Sequence, residues 1–249
     1  MKPTSAVTTV LSPKERIIVA LDVDKTSEAR TIVRELDGKV GAFKVGLQLF
    51  TAAGPDFVRD LTESGVKIFL DLKFHDIPNT VAKASVEASK LGVWMFNVHA
   101  AGGSEMLKTT VSEVTGHCEK DGRERPLIIA VTVLTSSDAQ TLRQTGIDAP
   151  VETQVGSLAK LSSDCGLDGV VASPHEVRVV RKEVVNSGFL TVTPGIRPNL
   201  ATTDDQKRVT TLGQALANGS DYVVIGRPIT RSKDRLAAVE EILSELSSL

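Results

Sequence analysis

Val66-Lys67-Ile68-Phe69-Leu70-Asp71-Leu72-Lys73-Phe74-His75-Asp76-Ile77-Pro78-Asn79-Thr80 holds a strand, a turn and the start of a helix in one run. Its first five residues read as a buried strand, and Pro78 suits the opening position of a helix, where its missing N–H costs nothing. Side chains alternate along a strand, so Asp71 and Lys73 are expected on one face, opposite Leu70 and Leu72. Asp76 falls on the loop beyond. An Asp-x-Lys pair at a strand edge is usually a solvated ion pair. At the end of so apolar a strand, it becomes a candidate for chemistry.

The same strand-to-helix unit recurs on both sides. Before it come strands at Arg16–Asp22 and Ala42–Gly46, with helical spacing from Ser27 to Leu36 and a helical segment broken at Gly54-Pro55 that runs to about Ser64. After it come strands at Trp94–Val98, Leu127–Val133, Gly169–Ala172, Leu190–Thr193 and Tyr222–Ile225. Helices are expected between them, notably from Thr80 to Leu91, Val151 to Cys165 and Pro174 to Val185, and at the end from Leu236 to Leu249. Strands alternating with helices imply a parallel sheet. Eight such units in 249 residues imply an α/β protein with a (β/α)8 TIM barrel; a doubly wound sheet is the alternative. No linker divides the chain, so residues 13–249 are expected to form a single catalytic domain behind a loose tail of residues 1–12.

Composition narrows the function. A net charge of −2 supplies no basic face for nucleic acid. No apolar run approaches a membrane span. The two cysteines, Cys118 and Cys165, have no CxxC spacing, which speaks against a disulfide framework or structural zinc and for a reducing, cytoplasmic setting. Aromatics are only 4% of residues, so the core has to be aliphatic.

Barrel enzymes place their chemistry at the C-terminal ends of the strands. Here those ends carry Asp22, Lys44, Asp71 with Lys73, Thr135 with Ser136, Arg197, and Gly226 with Arg227. The loops after strands seven and eight commonly hold phosphate. Gly195 and Gly226 admit backbone N–H groups to an anion, and Arg227 offers a forked pair of charge-assisted bonds. Lys44, Asp71, Lys73 and Asp76 form an array of alternating charge. In it a cationic lysine over a reacting carbon is a general acid, and the lysines fill the space a divalent cation would need. His75, His99, His117 and His175, together with Trp94 and Cys165, read as structural or surface residues.

The run Asp71-Leu72-Lys73-Phe74-His75-Asp76-Ile77-Pro78-Asn79-Thr80 resembles the signature of the orotidine 5′-phosphate decarboxylase family. Ala20-Leu21-Asp22, Phe43-Lys44-Val45-Gly46, Val133-Leu134-Thr135-Ser136, Thr193-Pro194-Gly195-Ile196-Arg197, Asp204-Asp205-Gln206 and Ile225-Gly226-Arg227-Pro228-Ile229 follow in the family's order. The resemblance implies decarboxylation of orotidine 5′-phosphate to UMP and CO2 in pyrimidine biosynthesis, without cofactor or metal. It implies that Lys73 protonates the carbon that loses CO2, that Asp71 sits near the departing carboxylate and that Lys44 completes the network. It further implies a homodimer in which Asp76 and Thr80 reach the neighbour's site. Asp22 and Lys44 would meet ribose hydroxyls, and Thr135 or Ser136 the pyrimidine edge. Gln206, Gly226 and Arg227 would hold the phosphate, with Arg197 nearby, on a mobile loop from Gly195 to Arg208 and on the turn after strand eight. A magnesium-dependent relative with an acidic ligand in place of Lys44, and a barrel that binds nucleotide without turnover, are the rival readings.

Overall fold

The computed structural model describes residues 11–196 and 210–247. Eight parallel strands close in chain order into a barrel: β1 (Ile17–Ala20), β2 (Ala42–Gly46), β3 (Ile68–Phe74), β4 (Met95–His99), β5 (Leu127–Val131), β6 (Gly169–Val171), β7 (Leu190–Pro194) and β8 (Tyr222–Ile225). Around them lie α1 (Thr26–Leu36), α2 (Leu47–Glu63), α3 (Pro78–Lys90), α4 (Gly103–Lys120), α5 (Ala139–Gln144), α6 (Val151–Asp164), α7 (Val177–Glu183), α8 (Leu212–Ala217), α9 (Arg227–Thr230) and α10 (Arg235–Ser247). The expected TIM barrel is therefore what the chain forms. The expected tail lies outside the described residues except for its last two positions.

Strand alternation divides the core in two. Ile17, Val19 and Leu21 of the first strand and its end join Phe43, Val45, Ile68 and Leu70 in the layer between barrel and helices. Ile18, Ala20, Ala42, Phe69, Met95, Ile129, Val192, Tyr222 and Val224 fill the barrel interior. Each aliphatic side chain removed from water contributes roughly 1.5–3 kcal/mol, and these two layers fix the register that aims Lys44 and Asp71 inward. At the N-terminal floor Trp94 meets Tyr222 edge-on, ring centroids 5.2 Å apart. Trp94 thus plugs the barrel end remote from the strand C-termini.

The helices follow their apolar spacing. α1 buries Ala29, Ile32, Val33 and Leu36, a single face at helical period. Gly54 interrupts α2 with φ 72°, a conformation glycine adopts without penalty, and Pro55 restarts the helix. α3 opens on Pro78 at its first turn, two residues before the expected Thr80. The helix expected from Pro174 begins only at Val177, because the Glu176 carboxylate folds back to accept from the Ser173 N–H at 2.9 Å. The short helix α9, directly behind Gly226, is absent from the sequence reading; four residues carry too little periodicity to reveal it.

Candidate active site

The strand ends on one side of the barrel mouth build a ladder of alternating charge. Lys44 projects inward from β2, two residues beyond the interior residue Ala42 and so on the same face. Its Nζ lies 3.1 Å from Asp22 Oδ1 and 3.3 Å from Asp71 Oδ2. Lys73 Nζ donates to the other Asp71 oxygen, Oδ1, at 2.6 Å. Minus, plus, minus and plus thus run Asp22, Lys44, Asp71, Lys73. Only 8% of Lys44 is exposed. Gly46 leaves room for this ammonium, since a Cβ there would stand 3.0 Å from Lys44 Nζ.

Burial works against both inner charges, and their neighbours overcome it. Desolvation lowers the Lys44 pKa, but attraction to Asp71 and then Asp22 outweighs it and leaves the pKa raised. Desolvation likewise raises that of Asp71, and Lys44 and Lys73, with hydrogen bonds from Lys73 and Asn97, bring it below the ordinary carboxylate value. Paired burial of this kind is tolerated only when each ion's remaining bonds are met.

Asp71 and Lys73 do meet, as alternation leads one to expect, but by another route. The β3–β4 register shifts between Leu70 and Phe74, and Lys73 has φ 53°, the one positive value outside glycine among the described residues. A left-handed non-glycine residue costs on the order of 1–3 kcal/mol. Asn97 of β4 holds the distortion: its Oδ1 accepts from the Lys73 N–H at 2.8 Å and its Nδ2 donates to Asp71 Oδ1 at 2.7 Å. Beyond the bulge His75 and His99 lie with ring centroids 5.3 Å apart. Burial, then His75 and Lys73, lowers the His99 pKa against a smaller opposing pull from Asp71.

The ladder borders a cavity of about 470 Å³ at the barrel mouth. The far wall carries Pro194 and Gly195 from β7 and its end, then Gly226, Arg227 and Arg231 after β8. Between these two poles lie Phe69, Val131, Val171 and Val224, an apolar floor, with Thr135 and Leu134 overhanging from the loop after β5. One end of the cavity therefore suits an anion and the other a reaction that needs fixed charges, with a dry surface between them for a flat apolar face.

Of the residues singled out in the sequence, Asp22, Lys44, Asp71, Lys73, Thr135, Gly226 and Arg227 line this cavity. Ser136, Asp76 and Thr80 are exposed outside it, and Asp76 Oδ1 accepts from the Ile77 N–H at 2.7 Å. Arg197 and Gln206 lie outside the described residues. Sequence reasoning missed Asn97, Gln48 and Arg231. Arg231 stands four residues after Arg227, one helical turn along, but the turn that joins them, α9, is too short for the sequence to reveal. Gln48 and Asn97 carried no signal either, because a polar residue in a strand or helix gives no hint of what lies across the sheet.

A family model described as Orotidine 5′-phosphate decarboxylase / HUMPS family matches residues 15–242. A relative named orotidine 5′-phosphate decarboxylase from Syntrophotalea carbinolica is 50% identical over 239 residues, 96% of this chain and 98% of the relative. Another of that name, from Geobacter sulfurreducens, is 51% identical over 233 residues, 94% of this chain and 96% of the relative. The crystal structure of orotidine 5′-phosphate decarboxylase from Lactobacillus acidophilus superposes with a TM-score of 0.80 at 41% identity, covering 92% of this chain and 97% of that one. With barrel, signature and near full-length similarity in agreement, the chain belongs to the orotidine 5′-phosphate decarboxylase / HUMPS family.

Proposed function

We propose that this chain decarboxylates orotidine 5′-phosphate to UMP and CO2 in pyrimidine biosynthesis, using its own charges and no cofactor or metal. The observation that carries this reading is the cavity with a charge ladder at one pole and two arginines beside two glycines at the other. The names of its relatives point the same way. The substrate's phosphate lies against Arg227, Arg231 and the backbone of Gly195 and Gly226. Its pyrimidine rests on the apolar floor, its edge met by Thr135, and Asp22 and Lys44 take the ribose hydroxyls.

The substrate carboxylate then faces Asp71, which its two lysines hold ionised. As the bond to CO2 breaks, its electron pair stays on the ring carbon, and Lys73 Nζ delivers the proton that forms the new C–H bond. Repulsion between Asp71 and the departing carboxylate is relieved as CO2 leaves. A lysine acid alone accounts for about 10²–10⁴-fold. The larger share comes from charges already oriented before reaction and from phosphate binding energy realised at the transition state.

The purified protein is expected to consume orotidine 5′-phosphate, followed by its loss of absorbance, at the same rate with and without a strong chelator. A rate that requires divalent cation would reject the reading in favour of the magnesium-dependent rival. Among the described residues, no group of three or more His, Cys, Asp and Glu side chains could hold a metal ion. Replacing Arg227 or Arg231 with Ala should raise KM, with the double change exceeding either alone. Unchanged KM in Arg231→Ala would remove that residue from the phosphate pole.

The site is completed by a second copy of the chain, with Asp76 and Thr80 crossing the interface. Both residues are exposed and lie off their own chain's cavity, and they flank Ile77, a large apolar side chain that is 67% exposed. Mixing Lys73→Ala with Asp76→Ala chains should restore activity, because a hybrid dimer holds one intact site. Hybrids that form yet stay inactive would show that Asp76 does not act across the interface. A cytoplasmic setting fits this reading. Both cysteines are free and buried, and no helix among the described residues is long and apolar enough to cross a membrane.

A further inference from the structure

Asn97 stands on β4 opposite the irregular stretch of β3. The register pairs Leu70 with Phe96 and Phe74 with Val98, so Asp71, Leu72 and Lys73 all face the single residue Asn97. A bulge of this kind leaves backbone groups without a ladder partner. The Asn97 side chain fills that gap. It accepts from the Lys73 N–H at 2.8 Å, donates to the Asp71 carboxylate at 2.7 Å, and is 1% exposed. Its amide can lie only one way round, since the Lys73 N–H donates and the ionised carboxylate only accepts.

We infer that Asn97 is a positioning residue for the reaction, its amide setting the working separation of the Asp71 carboxylate and the Lys73 ammonium. This rests on the reading of Lys73 as the acid. The geometry explains why the residue has to be an amide. One end has to accept and the other donate across a fixed planar spacing. Serine and threonine are shorter, leucine does neither, and an ionised aspartate accepts at both ends and repels Asp71. Without the clasp, the left-handed backbone at Lys73 has no side chain to hold it, and the ammonium loses its defined position over the cavity. Asn97 itself reaches no reacting atom in this arrangement; it acts through its two neighbours. Its strand partner on β5, Ile129, is apolar and cannot take over the role.

Asn97→Ala, Asn97→Asp and Lys73→Ala chains, compared with the parent, test this. In Asn97→Ala, kcat for orotidine 5′-phosphate should fall about 10²-fold, the cost of a misplaced catalytic group, with KM little changed because the phosphate pole is on the opposite wall. Asn97→Asp is close in shape and supplies the sharper readout if the alanine variant folds poorly. Its new carboxyl and Asp71 can share one proton, and only that protonated form reproduces both bonds of the amide. Like charge and burial raise the new group's pKa, so activity is present below it and lost as pH rises, about tenfold per unit. The other titratable groups around the amide are Lys44 on β2, Lys73 on β3, His75 beyond it and His99 on β4. All are present in the parent, so the added limb belongs to the substitution. A purely structural Asn97 would lower the melting temperature without creating that limb. Parent-like kcat in Asn97→Ala, or a parent-like pH profile in Asn97→Asp, overturns the inference while an inactive Lys73→Ala leaves the proposed function standing. Full turnover in Lys73→Ala rejects both.

Discussion

Lys73→Ala is expected to lose turnover of orotidine 5′-phosphate by at least about 10⁴-fold, the upper end for a lone general acid, while still binding UMP. Apart from Phe69 on β3, the phosphate and apolar contacts that hold a nucleotide lie on β5 to β8 and their loops, away from this side chain. What disappears is the proton donor and one of the two cations that keep Asp71 ionised. The loss should therefore fall on kcat rather than KM, the mark of an interaction made in the transition state. The barrel should persist, because Lys73 sits at the mouth with its side chain only partly buried. Single-turnover decarboxylation and UMP titration on the same preparation check this. A rate within tenfold of the parent would reject Lys73 as the acid.

Asp71→Ala should cost both activity and stability. Its carboxylate lies between Lys44 and Lys73, 3.3 Å from one and 2.6 Å from the other. Removing one partner of a buried ion pair typically costs about 3–5 kcal/mol, here softened by the remaining contact of Lys44 with Asp22. Turnover should fall by orders of magnitude as well, since the negative charge that faces the substrate carboxylate would be gone.

The pH dependence follows from the signs. The Asp71 pKa is lowered in the folded chain, so its contribution is present above its unfolded value near 3.9 and is lost as pH falls through the folded one. The Lys44 pKa is raised, so its contribution is present below its unfolded value near 10.4 and is lost as pH rises through the folded one. Between about pH 5 and pH 9 both are in place. Urea unfolding across pH should show the acid limb reduced in Asp71→Ala. An acid limb identical to the parent's would mean that Asp71 is not held ionised by its neighbours.

The barrel was legible because aliphatic strands and amphipathic helices alternate through the chain, and burial of apolar side chains at period 2 and period 3.6 is a local property of sequence. β2 and β8 came out with the bounds the pattern implies. The charges Lys44, Asp71 and Lys73 were legible as types at strand ends for the same reason. Where periodicity is short, it failed: α9 has four residues, and the turn before α7 depends on one carboxylate reaching back to Ser173.

What the sequence determined by itself, then, is the number and order of the strand–helix units, the inward face of each strand and the family signature. Only the tertiary structure decided how Lys73 reaches Asp71, because simple alternation does not operate at a left-handed residue. It also decided that Asp22 pairs with Lys44 within one chain, and that Arg231 shares the wall with Arg227. Closing the barrel brings β1 beside β8 and sets Asn97 across from the β3 bulge. Hydrogen bonds and ion pairs act over about 3 Å between residues far apart in the chain, and no local pattern encodes that distance.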